Sequence, residues 1–171
     1  MNLEAADSVA DGVRRQVDPR WISLQRIHGV AVTAVAGFAS FVAIVFPSIA
    51  DRRLWLLLAL LPSWAVVMAA LAWQMRRWPP IAYRFTSYVV NDAGLEIARG
   101  VYWRTVTSIP KSRIQHTDVS QGPLERRHGL GTLVVYTAGT QHSQVKLPGL
   151  AFATAQRIRG HLLPHDEGDA V

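Results

Sequence analysis

The chain contains no cysteine. That excludes a disulfide framework and any thiolate metal site, and it agrees with a cytoplasmic setting for the folded part. Charge is missing in a more informative way. Residues 29–50, GVAVTAVAGFASFVAIVFPSIA, hold no charged side chain. After Asp51-Arg52-Arg53, residues 54–75, LWLLLALLPSWAVVMAALAWQM, hold none either. Each run has 22 residues, against about 20 needed to cross a bilayer's hydrocarbon core. A buried helix in a soluble protein of this size is usually shorter and keeps a polar face, and neither run has one. Two transmembrane helices are therefore expected. A cleavable signal peptide explains the first run poorly, because a long polar segment with four acidic residues precedes it and the run exceeds an h-region. It is read as a retained membrane anchor.

Acidic residues are also outnumbered, 12 against 18 Lys and Arg, for a net charge of +6. In a soluble chain that balance would point to nucleic acid. In a membrane protein it is first a topology signal. Arg14, Arg15, Arg20 and Arg26 precede the first apolar run, and Arg76 and Arg77 follow the second. The connection between the runs holds only Arg52 and Arg53 beside Asp51. The expected arrangement is a two-pass plasma-membrane protein with both termini in the cytoplasm. Trp55 near the outer end of the second helix, Trp73 and Trp78 near its inner end, and Trp21 before the first helix suit the membrane interface. Pro62 falls inside the second helix, a kink that a neighbouring helix can support. Gly37, Ala39, Ser40 and Ala43 of the first helix are small enough for close packing against it.

Pro79-Pro80 is expected to end the second helix. The period then changes. Alternation over residues 83–90 predicts a strand, Asn91-Asp92-Ala93-Gly94 a turn, and residues 95–99, 103–109 and 114–119 three more short strands. Residues 132–137 and 143–147 predict a fifth and a sixth, joined by a turn at Ala138-Gly139-Thr140, with Pro148-Gly149 ending the strands. Ala151, Ala155, Ile158 and Leu162 share one face of a closing amphipathic helix. PHDEGDAV, from Pro164, is expected to be a disordered tail. The segments are thus an N-terminal cytoplasmic stretch (1–28), membrane helices (29–50 and 54–75), a cytoplasmic β-domain (80–164) and a tail (165–171).

Between the fourth and fifth strands lies QGPLERRHGLG, residues 121–131, too elaborate for a plain turn. Together with its flanks, IPKSRIQHTDVSQGPLERRHGLGTLVVYTAG, it resembles the bacterial pleckstrin-homology-like (PH-like) domain of the YdbS-like, membrane-flanked family. The matching features are Ile-Pro closing one strand, Arg-Ile-Gln-His opening the next, the Gly-Pro-Leu-x-Arg loop, then Gly-Leu, a β-run and Thr-Ala-Gly. Leu-Pro-Gly-Leu at residues 147–150 fits the lead into the closing helix. With the paired membrane helices the resemblance covers about residues 20 to 163. One position departs: an aromatic usually precedes the glycine where this chain has His128, which bears on how deeply the loop tip is buried. The resemblance implies a membrane α-helical hairpin plus a mainly-β PH-like domain, a bent antiparallel sheet or partly open barrel capped by a C-terminal helix. It implies no enzymatic activity. It also suggests company with a larger membrane protein carrying related domains, and a link to envelope stress or resistance to membrane-active agents.

Two readings of the loop stand. Pro123 and the glycines shape a connection anchored by Leu124 and Leu130, with its charges in water. Alternatively Arg126, Arg127 and His128 form a cationic tip, each basic residue near an anionic leaflet contributing about 1 kcal/mol. The first is preferred. An inositide site is not expected, because the first strand-to-strand loop, Asn91 to Gly94, has no cation. Arg113, His116 and Asp118 lie close in sequence, but without a nucleophile elbow they read as surface hydrogen-bonding partners. His161 and His165 are separated by Pro164, and Gly129-Leu130-Gly131 precedes a strand where a dinucleotide fingerprint needs a helix. No catalytic residue, metal site or cofactor is implied. Nucleic acid is not an expected partner, as no aromatic platform accompanies the basic residues.

The leading expectation is a non-enzymatic integral membrane protein whose cytoplasmic PH-like domain mediates protein interaction or assembly. Its partner is another membrane protein with related PH-like domains, or a second copy. The alternative is a lipid-sensing module that meets anionic headgroups of membrane lipids through Arg76, Arg77, Arg104, Lys111, Arg126 and Arg127.

Overall fold

The computed structural model describes residues 10–50, 52, 54–138 and 144–162. The turn expected at Gly139-Thr140, the start of the sixth strand at Ser143, His165, the tail, Asp51 and Arg53 lie outside the described residues. Two compact units are present. Of the described residues, those within 22–80 form one and those within 10–21 and 81–162 form the other.

The first unit is a helical hairpin. Helices α1 (Arg20–Ala50) and α2 (Leu54–Arg84) have 31 residues each, or about 46 Å at 1.5 Å per residue. Both are long and apolar enough to cross a membrane. Val32, Val35, Phe38, Phe46, Leu58 and Val66 stand exposed on them, an outer surface suited to lipid and unsuited to water. The seam between the helices is polar at one point, where Trp64 Nε1 donates to Ser40 Oγ at 2.9 Å. The Phe41 and Trp64 rings lie 5.5 Å apart beside it. Gly37 is buried, and a methyl group there would press on the end of Met68. Of the four small residues expected at the seam, Gly37 and Ser40 are there, whereas Ala39 and Ala43 are exposed. At 100° per residue, positions 37, 40, 44 and 48 share a face and 39 and 43 do not.

Pro79-Pro80 does not end α2, which continues to Arg84. Proline's fixed φ is compatible with a helix, and what ends this one is a cap further on. Thr86 donates through its N–H to Tyr83 O at 3.1 Å and through Oγ1 to Ala82 O at 2.8 Å, satisfying carbonyls that a terminating helix leaves open. The alternation that suggests a strand from residue 83 is real only from Ser87.

The second unit holds two antiparallel sheets and a helix. Strands β1 (Arg15–Gln16), β2 (Ser87–Asn91), β3 (Gly94–Arg99) and β4 (Thr105–Pro110) form one sheet in that order. A single 3₁₀ turn, Lys111–Arg113, leads into β5 (Ile114–Ser120). After the short helix α3 (Pro123–Arg127), β6 (Leu130–Thr137) and β7 (Gln144–Ala151) complete the second sheet, ordered β5-β6-β7. Among the described residues no ladder joins the sheets, so the barrel is not closed. Helix α4 (Phe152–Leu162) packs across β5, β6 and β7. Leu95, Ile97, Leu130, Leu133, Val135, Leu147, Leu150, Ile158 and Leu162 are fully buried. Alternation puts Tyr88 and Val90 inside from β2, and burial pushes the Tyr88 phenol above its ordinary pKa.

The N-terminal segment, expected to be a separate stretch of residues 1–28, is in part a strand of this unit. Arg15 pairs with Tyr88 and Gln16 with Ser87. Gly12 N donates to Val90 O at 3.0 Å, and Arg14 reaches Glu96 at 2.9 Å. Asp11 accepts from Val13 N and from Arg15, which hold its carboxyl below the usual range. Val17 is buried next. Trp21, expected at a membrane interface, is instead only 8% exposed and lies against Gly149.

That contact depends on a bulge. Pro148-Gly149 does not end the strands as expected, and β7 runs on to Ala151. Its register against β6 shifts between Gly131↔Leu150 and Leu133↔Leu147, so proline, which has no ladder donor, sits in the extra length of an edge strand. Gly149 takes φ +80°, and its carbonyl accepts from Asp18 N at 2.7 Å. A Cβ at 149 would fall within 2.6 Å of the indole.

Two outcomes are expected. Gly149→Ala destabilises the β-unit by about 1–3 kcal/mol, from left-handed strain plus overpacking, read as a lower thermal midpoint of the β-sheet circular dichroism of the full-length protein in detergent; an unchanged midpoint would show that Trp21 is not packed there. Ser40→Ala deprives the Trp64 N–H of its acceptor and weakens helix association by about 0.6–1.7 kcal/mol, measured as a shift in SDS-induced unfolding.

Candidate functional site

The elaborate loop at residues 121–131 is a capped helical turn. Pro123 occupies the first helical position, where its missing N–H is not needed. Glu125 then reaches back. Its Oε2 accepts from Gly122 N at 2.7 Å, and its Oε1 accepts from Thr132 Oγ1, also at 2.7 Å. Gln121 Nε2 donates to Leu130 O at 2.6 Å. Gly129, at φ +65°, turns the chain into β6, and its carbonyl receives the N–H of Phe152 at 3.0 Å. The same loop thus starts β6 and α4. Leu130 is completely buried and Leu124 half-buried.

The expected cations lie on several elements. Arg126 and Arg127 are exposed on α3, and half-buried His128 offers its carbonyl to Arg20 Nη1 at 3.4 Å. Arg104 precedes β4 and Lys111 follows it, which sets them about 20 Å apart at a strand's rise per residue. In the helical unit, Arg77 lies 4.9 Å over the Trp73 ring, and Arg76 lines a shallow hollow with Arg26, Ile27, Val30 and Ala31. Trp55 and Trp73 are exposed on α2, eighteen positions and so about 27 Å apart, close to a hydrocarbon thickness. Trp78 is half-buried.

His116 Nε2 and Asp118 Oδ1 meet at 2.9 Å on β5, with side chains 58% and 49% exposed. That is a surface pair in water. His161 Nε2 stands 3.7 Å from Asp92, linking the end of α4 to the β2–β3 turn. No group of three metal-ligating side chains occurs among the described residues.

Two features are not visible in the sequence. The first is the outer edge of β4. Among the described residues it is the last strand of its sheet, Thr105, Val106 and Ser108 are exposed, and a cavity of about 140 Å³ opens beside it. Thr107, Ile109, Pro110, Arg113, Thr137 and Val145 line it. The second is a wider concavity of about 700 Å³ at the other end of β4, lined by Arg14, Arg84, Phe85, Gly100, Val101 and Arg104 among others. The strand expected over residues 103–109 is shorter at its start: β4 begins at Thr105 and leaves Tyr102 and Trp103 in a turn.

The bacterial PH domain family matches residues 27–165. The chain belongs to that family. It is also 25% identical over 146 residues to the UPF0699 transmembrane protein YdbS of Bacillus subtilis (strain 168), an alignment covering 85% of this chain and 88% of that one. No solved structure matches the chain. With two apolar helices and a transmembrane relative, this bacterial PH protein is a membrane protein. The family match begins after β1, so the N-terminal strand and Trp21 lie outside it.

Removing the Glu125 carboxylate leaves Gly122 N and Thr132 Oγ1 without their acceptor. Glu125→Ala is expected to destabilise the β-unit by about 1–3 kcal/mol and to speed amide exchange at Gly122 ahead of the β6 amides. Exchange at Gly122 no faster than in the unmodified protein would refute the cap.

Proposed function

We propose that this protein is a two-pass membrane adaptor whose β-unit, in the cytoplasm, binds an extended segment of another membrane protein, or of a second copy, along the outer edge of β4. The observation that carries the reading is that open edge with a side-chain-sized cavity beside it. Strand addition draws affinity from main-chain hydrogen bonds and selectivity from such pockets. An unprotected edge is otherwise a liability that sheets hide or charge, and Val106, 50% exposed, does neither. The pairing of β1 with β2 supports the two-pass arrangement: the strands on either side of the helical hairpin hydrogen-bond to each other, so both flanks belong on one side of the membrane. The arginines at 14, 15, 20, 26, 76 and 77 favour the cytoplasmic side.

The test is affinity purification of full-length protein from its native membrane in mild detergent, beside the Val106→Lys/Ser108→Lys variant. A membrane protein, or an extra copy, recovered in stoichiometric amount with the unmodified chain is expected to fall at least about tenfold with the variant, since like edge charges oppose strand addition. Equal recovery with both, or recovery of the unmodified protein alone and monomeric, rejects edge binding.

A further inference from the structure

The turn between β3 and β4, Gly100 to Arg104, carries the most exposed large hydrophobic side chains among the described residues of the β-unit. Tyr102 is 82% and Trp103 88% exposed. A soluble surface seldom leaves an indole so open without a partner for it. The turn is also built to hold its shape. Gly100 has φ +115°, and any Cβ there would overlap the Trp103 carbonyl oxygen. Only glycine lets the backbone close so tightly, and the closure leaves the two aromatic side chains standing outward.

The flanks have a matching chemistry. Gly100, Val101 and Arg104 line the 700 Å³ concavity together with Arg84 and Phe85. Phe85 is 51% exposed. Arg84 and Arg104 are both exposed, and neither forms an ion pair among the described residues. Aromatic side chains beside exposed arginines suit the boundary between lipid tails and anionic headgroups, where rings sit at headgroup depth and guanidinium groups meet phosphate. Connectivity places such a boundary within reach. Arg84 is the last residue of α2 and follows Arg77 by seven residues, which span at most about 25 Å even when fully extended.

We propose that the Tyr102-Trp103 turn docks into the anionic surface of the membrane that the protein's own helices span, with Arg84 and Arg104 on the headgroups. The occupant is lipid. This inference does not depend on what binds at β4.

The absence of cysteine makes the test direct. Tyr102→Cys is labelled with an environment-sensitive fluorophore in the full-length protein, reconstituted in phosphatidylcholine vesicles with and without phosphatidylglycerol. Asp92→Cys, in the turn at the opposite end of β2 and β3, is the control. Lipids carrying a quencher in the headgroup-proximal chain are expected to quench the label at 102 and to spare the label at 92, more strongly when phosphatidylglycerol is present. Arg104→Gln and Arg84→Gln are each expected to weaken the docked population by about fivefold, and Trp103→Ser to abolish the difference between the sites. Equal quenching at 102 and 92 overturns the proposal. So does a label at 102 that is shielded from aqueous iodide yet not quenched by lipid, which would mean that a second protein copy covers the turn.

Discussion

The structure turns on a two-residue pairing. Arg15 and Gln16 hydrogen-bond to Tyr88 and Ser87, and everything between them in sequence is the helical hairpin. A flexible connection of that length would oppose closure by about 4 kcal/mol of loop entropy, more than so short a ladder supplies. Two things offset it. The helices fold the intervening chain back on itself, so most of the closure entropy is already lost when the hairpin forms. The segment is also secured beyond its ladder, by Arg14 to Glu96, by Gly12 to Val90, by buried Val17 and by Trp21 over the Gly149 bulge. Among these contacts the indole is a large apolar group taken out of water. A domain cut at residue 80 would lack all of them.

The loop at residues 121–131 holds its own part of the fold in a similar way. Its conspicuous charges suggest a binding surface, yet one of the four, Glu125, is used inside the loop as a double acceptor. Arg126 and Arg127 are left in solvent by the geometry of a helix too short to bury both faces. What the loop accomplishes is geometric, because the Gly129 carbonyl receives the first N–H of α4 while Leu130 opens β6 in the core. It couples the start of the capping helix to the central strand of the second sheet.

Much of this is legible in the sequence, and the failures share a cause. Two uncharged runs and six short alternating segments define hairpin and sheets through periodicity, which is local. Pro79-Pro80 misleads because proline is compatible with helical φ wherever the lost hydrogen bonds are tolerated, and the cap at Thr86 lies beyond the motif. Pro148-Gly149 misleads because a bulge absorbs a residue without ending a strand, and only the partner's register reveals it. The segment at 15–16 gives no signal, since two residues carry no period. Trp21 and Trp103 exchange roles: the tryptophan next to an apolar run is packed in the β-unit, and the one assigned to a strand stands open in a turn. Tryptophan fits a core and an interface equally well by chemistry, so its position along the chain does not discriminate between them. The candidate site is the least legible part, because an open strand edge is defined by the absence of a neighbour.

The two proposed surfaces are joined by a single strand, and that has a mechanical consequence. Arg104 ends the aromatic turn and Thr105 begins β4, so seating the turn in a lipid surface would place one end of the β4 edge beside that surface. An added strand would then have to run toward or away from the membrane. Such a strand is supplied most readily by a polypeptide that itself emerges from the bilayer nearby. Confinement to the same membrane raises the effective concentration of such a segment, so a weak intrinsic affinity of a six-residue edge suffices where it would fail between freely diffusing proteins. On these two proposals the turn would meet lipid while the neighbouring strand edge pairs with a partner held in the same membrane.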